Sequence, residues 1–196
     1  MKRIAERWLR RLAGNAGGYR PWLLDRGSLT LRLKACCPDF AVRGVREEAM
    51  WLPRTGRALV REVFLCCGET PVVYAYSILP LAALTGHWKR LARLGTKPLG
   101  LVLFKDPRVG RSPLQFKKFG AHQARYARAL AGAQAAPAHL WARRSEFRLP
   151  HGGIWVTEVF LPAVLELGLA GARSAAVPPP ASAKGSRVFS CAVTTP

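Results

Sequence analysis

Residues 58–67 alternate between two sets of side chains. Leu59, Arg61, Val63 and Leu65 fall on one side, and Val60, Glu62, Phe64 and Cys66 on the other, which is the period of a β-strand. Gly68-Glu69-Thr70-Pro71 then reads as a turn, and residues 72–79 (Val-Val-Tyr-Ala-Tyr-Ser-Ile-Leu) as a second strand, so the pair predicts an antiparallel hairpin. Residues 42–50 alternate more loosely and predict a strand before it. Residues 140–149 and 154–161 predict a second hairpin, joined through Pro150-His151-Gly152-Gly153. Helical spacing appears in other places. Ile4, Trp8 and Leu12 stand four apart among arginines, predicting a basic amphipathic helix over 2–13. Ser28 is placed as the N-cap of a helix beginning at Leu29. Residues 81–94 read as a helix ending at Gly95, and the polar, basic stretch 114–130 as another. Strand pairs beside separate helices make the fold class α+β, with an antiparallel sheet.

At 196 residues the chain has the length of one ordinary domain, large enough to enclose a ligand. Composition divides it into a basic amphipathic segment over 1–20, a body over 21–167, and a tail over 168–196. The tail loses periodicity around Val177-Pro178-Pro179-Pro180-Ala181-Ser182 and is expected to be disordered. The longest uncharged apolar stretch, 71–86, contains Pro71 and Pro80 and is too short to span a bilayer as a helix. Arg7, Arg10 and Arg11 interrupt any apolar run of the kind an export signal needs, so the expected location is cytoplasmic.

Charge narrows the class of partner. Lys and Arg number 31 against 11 Asp and Glu, a formal net charge of +20, and residues 81–130 carry half of it. Such a balance points to an anionic partner, although sign alone does not separate a small acid, a phosphate backbone and a membrane surface. The five cysteines are Cys36, Cys37, Cys66, Cys67 and Cys191. The count is odd and no C-x-x-C occurs, so reduced thiols are expected, with neither a disulfide framework nor a zinc site.

Two charges stand where charge is costly. Arg61 shares its strand face with Leu59, Val63 and Leu65, and Glu158 shares one with Ile154, Val156 and Phe160. A charge on a buried face costs several kcal/mol, on the order of a sizeable part of a domain's stability, unless it is paired and hydrogen-bonded. Either the two pair with each other, or they flank a pocket for a small, partly anionic ligand; an arginine fork suits a carboxylate. His87, His122, His139 and His151 lie far apart, and no P-loop, G-x-G-x-x-G or G-x-S-x-G motif is present. Chemistry here is expected to need no metal, cofactor or covalent intermediate.

Five ordered blocks complete the picture. They are Trp22-Leu23-Leu24-Asp25-Arg26-Gly27-Ser28-Leu29-Thr30, Leu59-Val60-Arg61-Glu62-Val63-Phe64-Leu65, and Leu94-Gly95-Thr96-Lys97-Pro98-Leu99-Gly100 with Leu103-Phe104. Leu140-Trp141-Ala142-Arg143-Arg144-Ser145 and Thr157-Glu158-Val159-Phe160-Leu161-Pro162 follow. Together they resemble the chorismate pyruvate-lyase family of ubiquinone biosynthesis over roughly residues 22–163. The resemblance implies conversion of chorismate to 4-hydroxybenzoate and pyruvate without a cofactor. It also implies a single domain built on a six-stranded antiparallel sheet, with helices that close over a buried site. The family's functional arginine and glutamate fall on Arg61 and Glu158, as catalytic and substrate-binding residues. Two largely backbone contacts fall on Leu29 and Leu99. The monomer is the family's expectation.

Two other classes remain open at this point. The same fold resembles the ligand-sensing domain of a group of bacterial regulators, which would bind a small molecule without turnover. The basic segments alone would suit a nucleic-acid or membrane-surface binder, although no sequence-specific nucleic-acid motif is present and a transient contact with a membrane surface is the milder form. The tail lies outside the resemblance, so removing 168–196 is expected to leave turnover unchanged; a large loss on truncation would contradict that.

Overall fold

The computed structural model describes residues 7–53, 55–84, 88–89, 91, 94–131, 136–149 and 152–167. The strongest alternation becomes the longest ladder. β1 (Phe40–Leu52), β2 (Gly56–Cys67) and β3 (Thr70–Pro80) form an antiparallel meander. The β2–β3 turn is tight, and Gly68 adopts φ +57° there, a left-handed backbone that favours glycine. β6 (His139–Leu149) and β7 (Gly152–Phe160) form the second hairpin, and β7 inserts beside β3. β4 (Gly110–Arg111) and β5 (Gln115–Gly120) both pair with the outer edge of β6, β4 against 147–148 and β5 against 139–144. The sheet therefore has seven strands in the order β1-β2-β3-β7-β6-β4, six positions wide, with β4 and β5 end to end on one edge. The class is α+β and antiparallel, as the alternation predicted.

Register assigns the faces. The inner face aligns Leu59, Arg61, Val63 and Leu65 of β2 with Leu79, Ser77, Ala75 and Val73 of β3. It continues through Val156, Glu158 and Phe160 of β7 to Ser145, Arg143 and Trp141 of β6. α1 (Arg20–Leu24) and α2 (Leu29–Cys36) pack Trp22, Leu23, Leu29 and Leu33 onto one end of this face. α3 (Leu99–Leu103) packs Leu99 and Leu103 onto the other end, against Leu79, Phe147 and Ile154. The outer face is covered by α4 (Ala124–Ala129), whose Tyr126 and Ala129 meet Tyr74, Tyr76 and Leu140. Two apolar clusters thus share the inner face, and a belt of polar side chains runs between them.

Three helix expectations are corrected. Residues 7–13 are not helical; Leu9 forms a bridge with Phe116, each backbone N–H donating to the other's carbonyl at 2.9 and 2.8 Å. An edge strand with open donors and acceptors outcompetes a short isolated helix, which is marginal in water. Trp8 still rests on the body, edge-on to Phe119 at 5.9 Å with the Arg144 guanidinium 4.4 Å from its ring centroid. Residues 2–6 of that expectation lie outside the described ones.

The helix expected over 114–130 is strand β5 followed by α4. Phe116 and Phe119 stand three apart, a helical spacing, but they occupy opposite faces of an edge strand, against Arg143 and Leu140 respectively. In 81–94 the described residues form 3₁₀ turns, including Leu81–Ala83. Trp88, Leu91 and Leu94 are buried at a spacing of three, the period of that tighter helix.

The reduced set of thiols is also corrected: Cys37 and Cys67 form a disulfide, with Cα atoms 5.6 Å apart. Cys37 follows the end of α2 and Cys67 ends β2, so only the packing of that helix on the sheet brings them together. Their adjacent partners do not join, because Cys66 points to the other face of β2 and is buried, while the Cys36 thiol donates to Arg32 O at 2.9 Å. Burial, partly offset by the nearby Arg43, raises the Cys66 pKa and keeps that thiol protonated. The bridge closes a loop with a sequence separation of 30. Reduction is expected to lower stability by about 3–4 kcal/mol through loop entropy, visible as a lower Tm with dithiothreitol and an unchanged far-ultraviolet spectrum below it.

Candidate active site

The polar belt opens onto a cleft enclosing about 540 Å³ of space, part of it open to solvent. Its lining is mostly apolar with a few placed polar groups, the composition of small-molecule sites. Val63, Leu65 and Ala75 wall it on one side, and Leu103, Phe104 and Phe147 on the other. Arg61, Glu158, Leu29 and Leu99, drawn from β2, β7, α2 and α3, all lie on its lining.

Arg61 and Glu158 do not pair with each other. Arg61 Nε lies 3.2 Å from Glu47 Oε1, its directly opposed neighbour on β1, and Nη2 donates to Gly95 O at 2.8 Å and Lys97 O at 3.2 Å. The guanidinium is therefore held from the sheet side and from the loop before α3. Arg61 is 2 % exposed. Burial pulls its pKa below the ordinary guanidinium value, with the Glu47 carboxylate pushing the other way. A cation in that position gains from any further anion it can reach.

Glu158 is fixed from the opposite side. Its Oε2 lies 2.5 Å from Nε of Arg143, the residue directly across on β6. Arg143 is 0 % exposed, and its Nη1 donates to Trp22 O at 2.7 Å and Asp25 O at 2.5 Å. The end of α1 therefore positions Arg143, which positions Glu158. Nearby, Arg111 of β4 donates to Ser145 Oγ at 2.8 Å and Arg26 O at 2.6 Å, and stands over the Phe104 and Phe147 rings. Burial pulls its pKa down as well, opposed chiefly by the charge of Glu158.

Leu29 and Leu99 occupy equivalent positions. Each is the first residue of its helix, where the N–H has no acceptor within the helix. Ser28 caps α2 as expected, accepting from Leu31 N at 3.4 Å. The two helices approach closely at Gly100, where an added Cβ would stand 3.1 Å from Thr30 Oγ1, so a larger side chain would push α3 away from α2. Sequence reasoning did not single out Arg143, Glu47 or Arg111. Arg143 had a usable signal, since it alternates with Trp141, Ser145 and Phe147 on a buried face; Glu47 had none, because its role follows from register alone. Among the described residues no group of three His, Cys, Asp or Glu side chains could hold a metal.

Comparison with known proteins points to one family. The family model described as "Chorismate lyase" matches residues 10–167. A protein of Nitrosospira multiformis named "Probable chorismate pyruvate-lyase" is 48% identical over 159 residues, covering 76% of this chain and 88% of that one. Proteins of the same name from Nitrosomonas europaea (47% over 156 residues, 74% of this chain, 88% of the relative) and Methylobacillus flagellatus (44% over 176 residues, 85% and 98%) are similarly close.

Proposed function

The chain belongs to the chorismate lyase family, and from that premise we propose that it is a chorismate pyruvate-lyase, releasing pyruvate from chorismate to leave 4-hydroxybenzoate. The observation that carries the residue roles is the cleft itself, where a guanidinium and a carboxylate held by separate partners meet a mostly apolar lining. The reaction breaks the ether C–O bond at the ring, removes the hydrogen from the carbon bearing the hydroxyl, and delivers a hydrogen to the enolpyruvyl methylene. Aromatisation of the ring supplies the driving force. The protein has to select a reactive conformer, exclude water and stabilise charge on the departing group.

In this reading Arg61 clamps a substrate carboxylate and stabilises the charge that develops on the leaving enolpyruvyl group. Glu158 accepts a hydrogen bond from the ring hydroxyl and orients the ring. Leu29 and Leu99 contribute backbone N–H groups and apolar walls. A monomer and a cytoplasmic location complete the reading, the latter supported by the substrate, a dianion that does not cross a bilayer unaided. No described helix is long and apolar enough to cross a membrane. Transient contact with an anionic membrane surface is supported by the exposed basic residues around the Leu9–Phe116 bridge, Arg7, Arg10, Arg11 and Lys118.

The test is to mix purified protein with chorismate and follow 4-hydroxybenzoate by its absorbance. Steady formation of product supports the lyase. Binding of 4-hydroxybenzoate without turnover would move the protein to the sensor class. Neither, with retention on DNA or anionic vesicles that falls steeply with salt, would leave an electrostatic binder.

A further inference from the structure

Arg143 carries more donors than its neighbours use. A guanidinium has five N–H groups in a fixed plane. Nε is taken by Glu158 Oε2, and Nη1 by the carbonyls of Trp22 and Asp25. Nη2 is buried and has no hydrogen-bond acceptor among the described residues. Native structures rarely leave a buried donor in that state, and such an atom calls for an explanation. Arg143 itself is fully buried behind the cleft wall, with Glu158 between it and the cleft lining. The planar group supplies the direction: Nε–H and one Nη2–H lie side by side along one edge. The orphan donor is therefore next to the Glu158 carboxylate, which is itself on the cleft lining.

A carboxylate that accepts and a guanidinium that donates, side by side, complement a group that does both. A hydroxyl donates its proton and still offers lone pairs. An aromatic amine donates, but its lone pair is delocalised into the ring and accepts poorly; a bare C–H does neither. We propose that Arg143 and Glu158 together read one ring hydroxyl, Glu158 accepting from its O–H and Arg143 Nη2 donating to its oxygen. Arg143 is then a specificity-determining residue that separates the hydroxylated ring acid from its 4-amino counterpart. The inference rests on the lyase reading and adds to it the chemical class that the site rejects.

The experiment is calorimetric titration of the full-length protein with 4-hydroxybenzoate, 4-aminobenzoate and benzoate, alongside the chorismate assay. The wild type is expected to bind 4-hydroxybenzoate at least about tenfold more tightly than 4-aminobenzoate, with benzoate weaker again, because a site built to hydrogen-bond a hydroxyl penalises a ligand that leaves its groups unpaired. Arg143→Lys keeps a cation but loses the fork. It is expected to bring the hydroxyl-to-amine ratio to within about threefold of unity, while benzoate affinity changes little. A merely structural arginine would weaken all three ligands together and leave the ratio standing, and that result would overturn the proposal. Should the variant not fold, the wild-type series decides, since equal affinity for the hydroxyl and amino acids overturns it as well. Turnover without hydroxyl preference removes this inference alone, whereas absence of both turnover and 4-hydroxybenzoate binding removes the lyase reading beneath it.

Discussion

Arg61→Ala is expected to lower kcat/KM for chorismate by about a hundred- to a thousandfold, the range seen when a positioned donor to developing charge is removed, while the protein stays folded. The second half of that expectation comes from the partners left behind. Glu47 is 29 % exposed on its side chain, so water can replace the guanidinium there. The Gly95 and Lys97 carbonyls belong to exposed residues of the loop before α3 and can also turn to solvent. The result to look for is a near-native urea midpoint with turnover close to background. Near-normal turnover would dismiss the assignment of Arg61, and a collapsed midpoint would mean that the residue serves the fold first.

Glu158→Ala is expected to behave differently, losing activity and stability together. Its partner is the reason. Arg143 is 0 % exposed, and water cannot reach it as it reaches Glu47. Removing one side of a buried ion pair leaves an uncompensated charge and costs about 3–5 kcal/mol. Equilibrium urea unfolding should show that loss as a lower midpoint with little change in slope. Glu158→Gln tests the same point more gently. It keeps an oxygen for the Arg143 Nε–H, so it should recover part of the lost stability without restoring turnover. Equal stability of the alanine variant and the wild type would show that the pair is open to solvent, contrary to the geometry.

The contrast between the two variants could not be drawn from the residue order. Alternation along β2 and β7 identified Arg61 and Glu158 as charges on apolar faces, and it left open whether they joined each other or bordered a pocket. Register answered that question. Arg61 stands opposite Glu47 and Ser77, whereas Glu158 stands opposite Ala75 and Arg143, one row along the sheet. Each charge is therefore neutralised by a strand neighbour, and both remain available to the cleft. Arg143 alternates with Trp141, Ser145 and Phe147 in the same way, but its pairing with Glu158 follows only from register.

Local pattern determined what depends on neighbours in the chain. The two hairpins, the Ser28 cap, the antiparallel α+β class and the two out-of-place charges all follow from period-two alternation, turn chemistry and the cost of burying charge. Tertiary structure decided whatever depends on pairing between distant segments. Leu9 became an edge partner of Phe116 rather than part of a helix, and Lys117 and Lys118 entered a strand because β6 offered an open edge. Cys37 and Cys67 met because α2 packs over the end of β2. The physical reason is the same in each case: hydrogen-bond partners and cross-links between remote segments carry no signature in residue spacing, and appear only when the sheet has been assembled.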